Sequence, residues 1–241
     1  MKVVIDTSEN IARLAAQQYK ELLADKPDAV LGLATGSTPL GLYAVLSNMC
    51  KAGEISFAKA HSFNLDEYIG LDGNHDQSYR YFMNENLFRN IDINISETHV
   101  PDGISSNQQN AADYDKLIEE AGGIDLQLLG IGVNGHIGFN EPGTPFGSLT
   151  HIVELTDSTR QANKRFFQSI DEVPTHAISM GIKSVMHARS VILMAIGENK
   201  AQCIKDTLEG PVTEQVPASV LQLHPDVTFY LDHDAAKLLT K

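Results

Sequence analysis

Three stretches of this chain set acid–base or hydroxyl side chains among glycines or at the ends of apolar runs. Between Gly130 and Pro142 four glycines, Gly130, Gly132, Gly135 and Gly138, alternate with Asn134, His136 and Glu141. Glycine lets a backbone approach a ligand closely, so Gly135 is a candidate binding residue beside the amide, the imidazole and the carboxylate. An imidazole moves protons near neutral pH, and Glu141 is close enough in sequence to orient it. A structural histidine in a glycine loop is the competing reading, and the density of polar groups after an apolar run favours function. At Asn64-Leu65-Asp66-Glu67-Tyr68 two carboxylates follow an apolar run. A carboxylate held rigidly and partly desolvated at a strand end can remove a proton next to a carbonyl; a solvated acidic loop has the same composition.

The third stretch is Thr35-Gly36-Ser37-Thr38-Pro39. Its hydroxyls and amides at a helix N-terminus suit a phosphate, while a capped strand-to-helix turn is the favoured reading of this segment taken alone. It lacks the lysine of a nucleotide-binding loop. Arg160, Lys164 and Arg165 in a helical pattern, then Lys183 and Lys200, are the cations available for a phosphate, with Arg160 expected on a solvated helix face. No helical histidine pair or dense carboxylate loop points to a metal. His187, His224 and His233 read as surface or structural residues.

Positioning these groups requires a scaffold of alternating elements. Thr7 or Ser8 can cap a helix whose apolar positions Ile11, Leu14, Ala15, Leu22 and Leu23 recur at helical spacing up to Pro27, and Leu42, Val45, Leu46 and Met49 repeat the pattern. Short apolar runs at Ala29–Ala34, Ala60–Leu65, Asp125–Gly132, Ala177–Gly181, Val191–Gly197 and Val227–Leu231 read as strands, most of them separated by helical patterns. Parallel strands need crossovers and are buried on both faces. The expected fold is therefore α/β, a doubly wound, mainly parallel sheet with helices on both faces, a Rossmann-like three-layer sandwich. Ligands in such sheets bind outside the carboxyl ends of the strands, where all three stretches fall. The segment Gly138–Gly147 reads as a loop over that site.

Composition narrows the partners. The 241 residues carry 31 acidic against 18 basic side chains, a net charge of -13, which argues against nucleic acid and anionic membranes. With 42% hydrophobic and 20% charged residues and no linker or repeat, one domain over residues 1–241 is expected. Cys50 and Cys203 have no redox or metal spacing. The N-terminal apolar run is too short for a signal peptide, and no later run suits a membrane span, so cytoplasmic residence is expected.

Taken together, Thr35–Pro39, Phe63–Tyr68, Asn134–Ile137 with Phe139–Pro142, Arg165–Phe167 and Leu221–His224 resemble the signature segments of the glucosamine-6-phosphate deaminase family, in the family's order. The resemblance implies conversion of glucosamine 6-phosphate and water to fructose 6-phosphate and ammonia, with no cofactor and no metal. It implies that Asp66 moves the proton between C2 and C1, and that His136 opens the sugar ring with support from Glu141. Thr35, Gly36, Ser37, Thr38, Arg165 and Lys200 would hold the phosphate.

Two departures from enteric members stand out. Those enzymes have an aspartate where this chain has Asn134, which can orient His136 by hydrogen bonding but cannot stabilise an imidazolium by charge. They are also hexamers activated by N-acetylglucosamine 6-phosphate through basic residues after the glutamate loop and a longer C-terminal tail. Here Ser148–Leu155 contains no arginine or lysine and the sequence stops at Lys241. The expectation is therefore no such activation, and a monomer or small homo-oligomer. A 6-phosphogluconolactonase-type hydrolase needs no C2 base, so Asp66 favours the deaminase over it. A non-catalytic sugar-phosphate sensor would normally carry a basic DNA-binding module, which is lacking. Preference between glucosamine and galactosamine substrates is left open.

Overall fold

A computed structural model of the chain describes residues 1–104, 107–156, 159–161, 164, 167 and 169–240. In chain order the elements are β1 (Lys2–Asp6), α1 (Ser8–Asp25), β2 (Val30–Leu33), α2 (Leu40–Lys51), β3 (His61–Asn64), β4 (Asp66–Tyr68), α3 (Tyr79–Asn86), β5 (Thr98–His99), α4 (Gln108–Glu120), β6 (Leu126–Leu129), β7 (His151–Glu154), β8 (His176–Ser179), α5 (Ile182–Met186), β9 (Ser190–Ala195), α6 (Ala201–Glu209) and β10 (Val227–Asp232). Thr7 is the cap that begins α1, its hydroxyl accepting the Asn10 N–H at 3.2 Å. Ile11, Ala12, Ala15, Ala16, Tyr19 and Leu23 form the buried stripe of α1, and the helix stops two residues before Pro27, which cannot extend it.

Seven strands form the main sheet in the order β1-β10-β9-β6-β2-β3-β5, every neighbouring pair parallel. The central strands β2 and β6 are buried at every position, as a sheet covered on both faces requires. From β2 the chain winds outward to β3 and β5, and from β6 the other way to β9 and β10, while β1, the first strand in the chain, lies at the edge beyond β10. The strand order therefore reverses between β2 and β6, and the crevice outside their carboxyl ends is where an open α/β sheet binds ligands. Thr35–Pro39 follows β2 and the glycine-rich stretch follows β6. One main core runs through both helix layers, from Ile11 to Ala236.

One expectation changes. The run Ala177–Gly181 is not part of the parallel sheet: β8 is the middle strand of a second, antiparallel sheet ordered β4-β8-β7. At Leu65 the chain leaves the main sheet. Its N–H still bonds to Leu33 O at 3.0 Å, while its carbonyl accepts the Met180 N–H at 2.7 Å. A short, mostly apolar run specifies burial but not which sheet supplies its partners, and one partner here is the strand carrying Asp66. Among the described residues no helix is long and apolar enough to cross a membrane.

Candidate active site

A cleft of about 460 Å³ opens at the β2–β6 crevice, and its walls include Thr35, Gly36, Ser37, Thr38, Asp66, Gly132, His136, Gly138, Thr159 and Lys200. Residues from five separate regions of the chain thus meet at one place. The small antiparallel sheet is what brings Asp66 there. Strand β4 turns successive side chains to opposite sides, so the two adjacent carboxylates separate. Glu67 faces away from the cleft and accepts three backbone N–H groups, from Tyr68 and Tyr79 at 2.8 Å and from Arg80 at 2.9 Å. It thereby closes off the first turn of α3, where helical amides lack partners. Asp66 faces the cleft and is only 6% exposed. Burial, with a further push from the Glu67 carboxylate, raises its carboxyl to about 8.

The His136 group is built differently. Glu141 Oε2 accepts from Asn134 Nδ2 at 2.6 Å, Glu141 Oε1 accepts from Thr159 Oγ1 at 2.7 Å, and His136 Nδ1 lies 3.4 Å from Glu141 Oε2. Burial alone would raise Glu141, but hydrogen bonding and charge from His136, then Thr159 and Asn134, outweigh it and hold the carboxyl at about 2. Glu141 is therefore a permanent anion behind the imidazole. Asn134 orients the group at one remove: its Oδ1 accepts the backbone N–H of His136 at 3.3 Å, and its amide holds Glu141. Gly132 is required by close approach, because a Cβ there would overlap the His136 ring. Gly138 has φ 56°, and a Cβ on it would meet Ser179 Oγ at 3.1 Å and Asp66 Oδ2 at 3.6 Å. The loop is thus pressed onto β8 and the base. Phe139 N–H to Ser179 Oγ at 3.1 Å and Asn140 Nδ2 to Met180 O at 2.8 Å pin it there.

On the opposite side, α2 begins after Pro39 with no side-chain cap, so the Ser37 and Thr38 hydroxyls are not consumed in capping. Lys200 reaches in from the loop after β9, donates to Ile131 O at 2.7 Å and is lowered from its usual range by burial. Gly135 is buried against Val216, its carbonyl accepting the Ala218 N–H at 2.9 Å, and with Asn134 and Glu141 it stands behind the cleft wall rather than on it. Arg165 lies outside the described residues. Lys164 and Lys183 are exposed and away from the cleft. Arg160 is not on a solvated face: its guanidinium donates to Ile170 O and Val173 O at 3.0 and 3.3 Å. His224 is structural, buried and bonded to Ala188 O. Among the described residues no cluster of three His, Cys, Asp or Glu side chains is placed to hold a metal ion.

The sequence reading missed two parts of the site. Tyr68, Tyr79, Phe139 and Phe167 pack into an aromatic wall, Tyr79 stacking on Phe139 at 6.1 Å between ring centroids. These residues are far apart in sequence, and only the β4–β8 pairing gathers them. Thr159 was passed over because a lone threonine in a helical pattern carries no local signal.

Residues 5–229 match the sequence model of the family described as glucosamine-6-phosphate isomerases/6-phosphogluconolactonase. The chain is 52% identical over 241 residues to the glucosamine-6-phosphate deaminase of Thermoanaerobacter pseudethanolicus, spanning 99% of this chain and 95% of that one. It is 55% identical over 230 residues to that of Lachnoclostridium phytofermentans, spanning 95% and 98%. A solved structure described as a monomeric glucosamine-6-phosphate deaminase matches with a TM-score of 0.96 at 44% identity, covering 99% of this chain and 100% of that one. The 6-phosphogluconolactonase from Trypanosoma cruzi has a TM-score of 0.79 at 20% identity, covering 100% and 97%, a likeness of fold.

Proposed function

The chain belongs to the family of glucosamine-6-phosphate isomerases and 6-phosphogluconolactonases, and we propose that its cleft converts D-glucosamine 6-phosphate and water to D-fructose 6-phosphate and ammonia. The observation that carries this reading is Asp66, a desolvated carboxyl raised to about 8 in the cleft wall. Hydrolysis of a lactone leaves the C2 proton in place and so does not call for a base at that carbon. A carboxyl at its ordinary pKa is too weak a base to remove a proton next to a carbonyl efficiently; one shifted toward working pH is better matched.

The steps follow from the groups present. His136 takes the proton of the anomeric hydroxyl and delivers one to the ring oxygen, the C1–O5 bond breaks, and C1 becomes an aldehyde. Glu141 offsets the charge of the imidazole while it carries the proton. Asp66 then removes the C2 proton, the electron pair moving through C1 to the carbonyl oxygen, which takes up a proton as the C2 ammonium gives one up, to give a neutral enolamine. The same carboxyl returns its proton to C1, leaving an imine at C2. Water adds to C2, the C–N bond breaks, and ammonia leaves the ketose. The substrate's own ammonium at C2 is a cation beside Asp66, and it favours the ionised base in the complex. Thr35, Gly36, Ser37, Thr38, Lys200 and Arg165 hold the phosphate at the far end, and Asn134 and Gly135 support the loop from behind.

We further read the chain as one domain over residues 1–241 acting as a monomer in the cytoplasm. The monomeric description of the structural relative and the two free thiols of Cys50 and Cys203 support this. The test is ammonia release from glucosamine 6-phosphate in the presence of EDTA, with galactosamine 6-phosphate in parallel. We expect release from the glucosamine ester, unchanged by EDTA. No release from either ester, with turnover of 6-phosphogluconolactone instead, would replace this reading by the lactonase.

A further inference from the structure

Glu141 is held from three sides, and two of its partners belong to its own loop. The third does not. Thr159 lies 18 residues further along, and its hydroxyl donates to Glu141 Oε1 at 2.7 Å while accepting from Thr156 Oγ1 at 3.0 Å. It is also part of the cleft wall, as is Phe167. The next residue, Arg160, ties the same segment to the carbonyls of Ile170 and Val173. Thr159 thus links the cleft wall to the group behind His136 from a position outside the glycine-rich loop.

We propose that Thr159 is a positioning residue for the deamination: its hydroxyl fixes the Glu141 carboxylate, and through it the His136 imidazole. The inference rests on the reading above. The physical reason is the geometry of a carboxylate with two oxygens. Oε2 receives Asn134 and faces His136, whereas Oε1 receives Thr159. With Oε1 anchored, the carboxylate cannot rotate about its last bond, and Oε2 stays aimed at Nδ1. Without it, the Asn134 contact is a single pivot. A hydrogen bond to a charged group is among the stronger ones in a protein, so its loss is felt in the rate of the step the anion supports. The residue does not hold the phosphate and is not the C2 base, so substrate binding should be spared.

Thr159→Val keeps the shape and removes the hydroxyl, and Thr159→Ser restores it. We would measure kcat and KM for ammonia release in wild type and both variants. In the same proteins we would measure inhibition by 2-amino-2-deoxyglucitol 6-phosphate, an open-chain amino polyol phosphate that needs no ring opening. The expected result is a kcat for Thr159→Val lowered by about ten- to hundredfold, with KM and the inhibition constant within about twofold of wild type and most of kcat recovered in Thr159→Ser. An unchanged kcat in Thr159→Val overturns the positioning role, as does a loss of inhibitor affinity that matches the loss of kcat, which would place Thr159 in ordinary binding. Thr159→Ser provides the same comparison should Thr159→Val fold poorly: a serine variant with full inhibitor binding and threefold or greater loss of kcat overturns the claim that the hydroxyl suffices. Wild type that releases no ammonia at all overturns the underlying reading instead, which keeps the two failures distinct.

Discussion

Asp66 and Glu67 are neighbours in sequence and burial raises both carboxyls, but they differ in hydrogen-bond supply. Glu67 receives three backbone amides; Asp66 receives burial and a like charge. An aspartate held protonated up to about pH 8 has consequences for both rate and stability. Because the base must be ionised, kcat/KM should fall as pH drops below about 8. A profile flat down to pH 5 would remove Asp66 from that role. The unfolded chain ionises Asp66 near the ordinary aspartate value of 3.8, so between about 4 and 8 the folded state holds a proton that the unfolded state has released. Stability is therefore lost as pH rises through that window. Asp66→Asn should abolish most activity, by roughly a hundredfold or more. It should also leave the protein more stable than wild type above pH 8, by on the order of a few kcal/mol, with little difference at pH 4. Chemical denaturation of both proteins at the two pH values reads this directly.

At the scale of elements, the site depends on one strand leaving the main sheet. Strand β4 pairs with β8, presents Asp66 to the cleft and lets Glu67 receive the start of α3. Glu67→Ala removes the acceptor for three amides and should destabilise the fold by about 1–3 kcal/mol, measured as a lowered denaturation midpoint. Gly132→Ala is expected to behave in the opposite manner. Its Cβ would displace the imidazole, so kcat should drop at least tenfold while the denaturation midpoint moves little. These elements also mark how far sequence reading reaches. Thr7, Ile11 and Pro27 announce α1 because caps, period and breakers are local. The runs that became β2, β6, β9 and β10 announce buried parallel strands because both faces are apolar. Strand β7 and the pairing of β8 with β4 were not legible, since β8 finds its antiparallel partners in Asp66–Tyr68 and in His151–Glu154, separate segments whose pairing leaves no local mark. The site followed the same rule. Asp66, His136 and Glu141 stood out by type and setting, but Glu67's structural role, Asn134's indirect one and Thr159's contact depend on which way a side chain faces.

For the whole molecule, the question is whether the site works alone. The cleft is lined from five regions of this chain, and the strand-order reversal that creates the crevice is complete within it. The sheet ends in β5, two residues long, and in β1, five residues flanked by Lys2 and Asp6. Short or charged edges resist extension by a second sheet. The stretch Ser148–Leu155, where enteric relatives are expected to carry basic effector ligands, here leads into β7 and contains it. Its polar groups are already committed locally: the Thr150 hydroxyl bonds to Asp115, and His151 bonds to Leu149 O. An anionic activator finds no arginine or lysine there. The expected behaviour is hyperbolic saturation with glucosamine 6-phosphate, unaltered by N-acetylglucosamine 6-phosphate, from a species that sediments as a single chain across the assay concentrations. Because a lone subunit has no neighbouring site to couple to, sedimentation and kinetics must agree. A single-chain species with sigmoidal kinetics relieved by the acetylated ester would mean that a second binding site exists within the monomer. A hexamer with the same kinetics would mean that basic residues elsewhere have taken over the role that Ser148–Leu155 lacks.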